Sequence, residues 1–251
     1  MPELSVVIIT YNEEQNIARC LDSVKAFADE IVVVDSCSTD RTAEICRSYG
    51  CRFMTREFKG YADQKQFAVD QAANDWVFLI DADEVVSEKL GIEIQNLFRN
   101  DKLSFSGYRI PRSLFYMGKT LKYSGVGKET LLRLFNRKKG GLTKDPVHEG
   151  IKVTGNTGTL KGNLIHYSYN SISQHIYKTN LYTSLNAEGY QKSGKTFSKC
   201  RVVIKFPLNF IVFYIIRGGI LDGYAGFMWS FMAAFSGSIK IAKAIELQKK
   251  Q

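Results

Sequence analysis

A chain of 251 residues, 45% apolar and 24% charged with 16 Phe and 13 Tyr, has the size of one large domain, or of a domain with an appendage, and enough apolar mass for a core, which excludes general disorder. Four Pro and five Cys exclude collagen-like and disulfide-framework classes, and the odd, CxxC-free set Cys20, Cys37, Cys46, Cys51 and Cys200 points to reduced thiols in a cytosol. The net charge of +9 is uneven: residues 1–100 carry 10 basic and 18 acidic side chains, a balance of −8, and residues 101–251 carry 24 and 7, a balance of +17. A basic rear half suits nucleic acid, an anionic membrane or a phosphorylated substrate, or is simply a solvated basic surface.

The chain opens Met1-Pro2-Glu3-Leu4, without the positive segment of a secretory leader, and runs straight into Leu4–Thr10, an apolar, β-branched stretch typical of a strand covered on both faces. Asn12 is placed to cap the helix that follows, with Glu13 and Glu14 in its first turn and Ile17, Leu21 and Val24 on its buried side. Ile31–Val34 predicts a second strand ending at Asp35, Ser36–Asp40 a turn, and Thr42–Tyr49 a helix closed by Gly50. A strand over Arg52–Thr55, a helix over Tyr61–Ala73 and a strand over Val77–Ile80 follow. Asp81-Ala82-Asp83-Glu84 comes next, then a helix over Glu88–Phe98 capped by Ser87. Such alternation predicts a doubly wound α/β sheet, whose ligands bind beyond the carboxyl ends of the strands. Asn12, Asp35 and Asp81 all fall there.

Asp81 and Asp83, two residues apart on a turn, can converge on one hard divalent cation such as Mg²⁺ or Mn²⁺, which takes one or two carboxylates and completes its shell with phosphate oxygens. Asp35 can accept from the imide N–H of a uracil ring or from a ribose hydroxyl; the alternative is an Asx turn closing its own loop, the role expected of Asp40. Thr10, Tyr11, Asn12 and Glu13 can line a nucleotide with backbone and side-chain groups. GxGxxG does not occur, so dinucleotide binding is unsupported; Gly189–Thr196 fits the letters GxxxxGK[ST] but follows an expected helix rather than a strand, so a P-loop is unsupported too.

The ordered set T-Y-N-E (10–13), V-D-S-C-S-T-D (34–40) and D-A-D (81–83) resembles the inverting family 2 glycosyltransferases, over about the first hundred residues. The resemblance implies a GT-A fold, a Rossmann-like and mostly parallel sheet with flanking helices, and a nucleotide-diphospho-sugar donor. It implies that Asp35 contacts the base, that Asp81 faces the ribose and metal side, and that Asp83 holds the metal. Lys65 falls where the family often carries a basic residue near the diphosphate; the alternative is a surface lysine. Position 36 is Ser where many members have a second Asp.

Inverting transfer needs a base for the acceptor hydroxyl and a Lewis acid on the departing diphosphate. Between Glu129 and Glu188 the chain holds two carboxylates, Asp145 and Glu149, in K-D-P-V-H-E-G (144–150). A subset of the resembling family that modifies lipopolysaccharide cores shows V-H-E after an R-L-F strand. Arg133-Leu134-Phe135 and Val147-His148-Glu149 match that pattern, so Glu149 is expected to be the base, with Asp145 as fallback. His148 joins the metal or diphosphate, or buttresses Glu149. His166, after Leu164-Ile165, either reaches the diphosphate or is a satisfied core histidine; His175 carries no specific signal. The polymerase motif QxxRW is absent, which favours addition of one sugar.

Ser171–Tyr190 predicts a tyrosine-rich helix and Lys192–Lys199 a hinge. Phe206–Ile216 and Gly218–Ala234 are apolar, but interrupted by Arg217 and Asp222, and flanked by Lys199, Arg201, Lys205, Lys240 and Lys243. Helices lying in a membrane interface fit this pattern; a hairpin packed on the catalytic domain and a spanning hairpin are the alternatives. The expectation is therefore a catalytic domain over 1–170 and a membrane-associating helical tail over 171–251. It would move a hexose, glucose by preference, from a UDP-sugar to a lipid-linked saccharide at the cytoplasmic face of the inner membrane. One rival is a sugar-nucleotide nucleotidyltransferase, which would want a glycine-rich basic loop where Thr10–Gln15 has two acids. Another is a non-catalytic membrane-bound scaffold, against which intact Asp81, Asp83 and Glu149 stand. Basic residues interleaved with apolar runs speak against nucleic acid.

Overall fold

The computed structural model describes residues 1–127, 129–143 and 150–248. The chain divides into two compact units, Met1–Arg112 with Glu129–Tyr167, and Ser113–Lys128 with Ser168–Gln251. The second unit thus takes in a central segment besides the expected tail.

In the first unit β1 (Leu4–Thr10) is buried at all seven positions, as a strand with helices on both sides must be. Helix α1 (Ile17–Val24) buries Ile17, Cys20, Leu21 and Val24, spaced along one face. Its start departs from expectation: Asn12 is no helix cap, and Glu13 and Glu14 precede the helix rather than filling its first turn. The Glu13 carbonyl instead accepts from the N–H groups of Asn16 and Ile17, and residues 12–14 bond sideways to the next loop. Strand β2 (Glu30–Asp35) runs parallel to β1 in full register from Ser5–Glu30 to Thr10–Asp35. Helix α2 (Thr42–Ser48), strand β3 (Arg52–Thr55), helix α3 (Tyr61–Asp70) and strand β4 (Trp76–Asp81) follow, β4 lying parallel to β1 on its other side.

After β5 (Glu84–Val86), Ser87 Oγ accepts from Leu90 N at 3.3 Å and starts α4 (Glu88–Arg99) as expected. Then come β6 (Gly107–Tyr116), β7 (Lys119–Thr120), β8 (Glu129–Asn136), β9 (Gly140–Leu142), β10 (Ile151–Val153), β11 (Thr157–Thr159) and β12 (Leu164–His166). The main sheet has the order β3-β2-β1-β4-β8-β6-β12-β5. It is parallel from β3 to β4 and turns antiparallel at β8. This is the parallel-dominated, helix-flanked sheet the resemblance implied, with an antiparallel half that strand–helix alternation did not announce. Period-two side-chain alternation splits the core: Leu4, Val6 and Ile8 pack with α1 and α4 on one face, Val7, Ile9, Val32 and Leu79 with Ala68 and Val69 of α3 on the other. Gly162, just before β12, lies so close to α4 that a Cβ there would stand 2.4 Å from the Leu90 backbone, so the strand carrying His166 is held against the helix.

The second unit holds α5 (Ile172–Lys192), α6 (Lys199–Ile211) continued by a π-helical turn over Val212–Ile216, a 3₁₀ turn over Gly219–Asp222, and α7 (Gly223–Gln248). Its core gathers Leu114, Tyr116, Leu121 and Ala225. His175, silent in the sequence, belongs here: Nδ1 lies 2.9 Å from the Tyr116 hydroxyl, and its ring stacks on Tyr169 at 3.8 Å and on Trp229 at 5.7 Å. Burial, helped by the Lys178 charge, pushes its pKa down to about 4. An unfolded histidine takes its proton near pH 6.5, so the neutral ring stabilises the fold above that value and the contribution is lost as pH falls toward about 4. In urea titrations the wild type is expected to lose more stability through this window than His175→Phe does; equal losses would remove His175 as the cause.

Candidate active site

The carboxyl ends of β1, β2 and β4 carry the residues the sequence singled out. The loops after β1 and β2 are laced together: Asn12, at φ +52°, receives the Thr39 N–H on Oδ1 at 2.9 Å and donates its own N–H to Ser38 Oγ at 2.8 Å. Glu13 N–H reaches Thr42 Oγ1 at 2.9 Å, and Glu14 N–H reaches Asp40 Oδ2 at 3.1 Å. Asp40 also closes its own turn on Thr42, as expected. Asp35 is buried and accepts from the N–H and hydroxyl of Ser38, closing an Asx turn at the end of β2. Tyr11 is exposed, whereas Thr10 is buried with its hydroxyl lacking a hydrogen-bond partner. An orphaned buried hydroxyl facing no protein acceptor is a group for a ligand to satisfy.

Asp81 ends β4 and Asp83 sits in the two-residue turn before β5. Around Asp81 lies a charge network. Lys65 Nζ, from α3, meets Asp81 Oδ1 at 2.8 Å, and Arg133 Nη2, from β8, meets Asp81 Oδ2 at 2.9 Å. The same Arg133 nitrogen donates to Glu84 Oε1 at 3.0 Å, and Arg112 reaches that oxygen at 3.2 Å while pairing with Glu129 at 2.5 Å. Glu84, fully buried, takes the Asp81 N–H on its other oxygen at 3.0 Å and so fixes the turn from below. Three carboxylates face three cations. Burial would raise the Asp81 pKa, but the Lys65 and Arg133 charges outweigh it and hold the carboxyl far below the usual range. Burial would likewise lower Arg133, and Glu84 and Asp81 push it above its ordinary value instead. Both Asp81 oxygens thus face protein cations, Lys65 on one and Arg133 on the other.

Asp83 is free of that network. Its Oδ2 lies 3.1 Å from His166 Nε2, and its carbonyl accepts from Tyr167 N at 2.8 Å. The register explains the meeting: β12 pairs antiparallel with β5, placing His166 opposite Glu84. The Arg19 guanidinium lies 4.2 Å over the Tyr167 ring and anchors the same strand end. A carboxylate and an imidazole in contact at this strand end have the chemistry of donors for a divalent ion that completes its shell with diphosphate oxygens, although among the described residues no group of three or more His, Cys, Asp or Glu could hold a metal on its own. Asp145, His148 and Glu149 lie outside the described residues.

Glu84, Arg133 and Arg112 were missed as site residues. Arg133 stood in view as part of R-L-F, but nothing local says that a basic residue in an apolar strand points at a carboxylate 52 positions earlier. A buried charge needing a partner was the available signal.

The model of the family described as "Glycosyl transferase family 2" matches residues 5–162. The chain is 35% identical over 262 residues to an uncharacterized glycosyltransferase of Rickettsia typhi, covering 100% of this chain and 89% of that one. It is 35% identical over 248 residues to the lipopolysaccharide core biosynthesis glycosyltransferase LpsC of Rhizobium meliloti, covering 96% and 91%. Among solved structures, glucosyl-3-phosphoglycerate synthase from Mycobacterium tuberculosis, in complex with Mn²⁺, UDP and glucosyl-3-phosphoglycerate, is similar at 26% identity and a TM-score of 0.36, over 47% of this chain and 45% of that chain. A family match over most of the first unit, together with end-to-end relatives carrying the same activity in their names, replaces the nucleotidyltransferase and scaffold readings: the chain belongs to glycosyl transferase family 2.

Proposed function

We propose that this glycosyltransferase moves a hexose, by preference glucose, from a UDP-sugar to a hydroxyl of a lipid-linked saccharide of the lipopolysaccharide-core kind, with inversion. The observation that carries the donor side is the Asp83–His166 pair beside the Lys65–Asp81–Arg133 network at the end of β4. The acceptor class rests on the end-to-end similarity to LpsC.

Asp83 and His166 would hold Mg²⁺ or Mn²⁺, whose charge would offset that developing on the departing diphosphate. Lys65, pinned on Asp81, adds fixed positive charge beside the same oxygens. Asp81, kept ionised, orients Lys65 and Arg133 and offers its rim to a ribose hydroxyl. Thr10, with its unpaired hydroxyl, and the Ser36–Thr39 loop held by Asp35 and Asn12 take the nucleoside; Tyr11 and Glu13 close that side. Glu149 is the proposed base, Asp145 its fallback, and His148 its neighbour at the diphosphate.

Incubation with a panel of nucleotide-sugars and Mn²⁺, reading released nucleoside diphosphate, tests the donor. UDP release that needs both metal and a saccharide acceptor is expected; release from no UDP-sugar would refute it. Glu149→Gln is expected to lose transfer by about 10²–10⁴-fold while binding UDP as the wild type does. Transfer at wild-type rate would place the base elsewhere.

A further inference from the structure

Helix α6 is apolar on both sides, and among the described residues one side packs on α7 while the other is exposed. Toward α7 it presents aromatic rings: Phe206 packs edge-on to Phe231 at 5.5 Å, Phe210 to Phe227 at 5.6 Å, and Tyr214 to Phe227 at 5.7 Å. Asn209 fits against Gly237, where a Cβ would stand 2.4 Å from its side-chain nitrogen. The opposite side carries Ile204, Leu208, Ile211 and Ile215, spaced four, three and four apart along one stripe, and these are 54%, 56%, 48% and 55% exposed. Val203 and Ile216 beside them exceed 70%. A helix on the surface of a water-soluble domain turns polar residues outward, so this arrangement is inverted.

Charge selects the occupant. Between Glu188 and Asp222 the chain has no acid, but it has Lys192, Lys195, Lys199, Arg201, Lys205 and Arg217. Asp222 itself is buried and accepts the N–H groups of Lys122 and Tyr123, so the segment shows no exposed carboxylate. Arg217 is drawn over the Phe213 ring at 5.0 Å. A second copy docked on this stripe would bring like charges together. An anionic bilayer offers an apolar layer for the stripe and headgroup phosphates for the cations. Among the described residues no single helix is long and apolar enough to cross a membrane; Lys199–Ile216 and Gly219–Gln248 reach that length and hydropathy only as a pair bent by 68°, and Arg217 and the buried Asp222 at the bend would be costly at a bilayer midplane. We infer that α6 and the turn following it lie in the interface plane of an anionic membrane, with Ile204, Leu208, Ile211 and Ile215 buried among the acyl chains and Lys199, Arg201 and Lys205 on the headgroups.

The test is independent of catalysis. Full-length protein is sedimented with vesicles of phosphatidylcholine alone or mixed equally with phosphatidylglycerol, alongside Ile204→Ser/Leu208→Ser/Ile211→Ser and Lys199→Glu/Arg201→Glu/Lys205→Glu. All six positions lie on this surface helix, and circular dichroism with thermal melting confirms that each variant is folded. Binding to the mixed vesicles, weaker by about tenfold or more on phosphatidylcholine and in each triple variant, is the expected result. No wild-type binding to either vesicle, or undiminished binding of the serine variant, overturns the assignment. So does a wild-type dimer in light scattering that the serine variant turns into a monomer while vesicles bind neither.

Discussion

Arg133→Met is expected to cost about 3–5 kcal/mol of folding stability, because it leaves buried carboxylates short of one positive charge. Arg133 is the only contact joining Asp81 to Glu84 through one cation among the described pairs, at 2.9 and 3.0 Å. Without it, among the described ion pairs, fully buried Glu84 keeps Arg112 as its one cation and Asp81 keeps Lys65. Methionine fills the volume, so loss of packing contributes little. The diagnostic is the double variant Glu84→Gln/Arg133→Met. It removes one charge of each sign and leaves Lys65–Asp81 and Arg112–Glu129 intact, so its destabilisation should fall short of the sum of the single variants by about 1–3 kcal/mol in urea titrations. Additivity within about 0.5 kcal/mol would mean that the two side chains do not act together. The acid limb gives a second readout. Asp81 is held ionised by its cations, so the network stabilises the fold above the unfolded carboxylate value of about 4, and that contribution is lost as pH falls below it. Arg133→Met, by relaxing Asp81 toward its ordinary value, should move the acid-unfolding midpoint upward.

The parallel half of the sheet was legible because buried strands write continuous β-branched runs. Leu4–Thr10 and Arg52–Thr55 have the bounds read from the sequence, and Ser87 caps α4 through the hydroxyl its residue type supplies. Asn12 misled, since the same oxygen that caps a helix also accepts from a neighbouring loop, and Thr39, 27 residues away, won it. Asp83 was visible as a motif, but its meeting with His166 follows from β12 folding back on β5, a long-range pairing no local pattern encodes. Composition showed that the rear half is apolar and basic. It did not separate the aromatic face of α6 from the aliphatic one, because a hydropathy scale treats Phe210 and Ile211 alike while packing does not.

Asp83→Asn is expected to lose activity on the same scale as Glu149→Gln. The substitution keeps the size and the carbonyl of the side chain and removes its charge, so the turn between β4 and β5, held by Glu84 on the Asp81 N–H and by Tyr167 on the Asp83 carbonyl, should stay folded. A Lewis acid at a departing diphosphate is worth several kcal/mol, which is on the order of 10³-fold in turnover. Metal-dependent UDP release should fall by about that factor, with the melting temperature within a few degrees of the wild type. His166→Ala should fall less, by about 10–100-fold, because one carboxylate remains. Binding separates this role from a structural one: Mn²⁺ titrated in the presence of UDP, read by its paramagnetic signal, should lose affinity in both variants. Asp81→Asn, whose oxygens face Lys65 and Arg133, should lose stability while retaining the ion. The reverse pattern, with Mn²⁺ lost on changing Asp81 and kept on changing Asp83, would return the ion to Asp81 and reduce the Asp83–His166 pair to a strand-end contact.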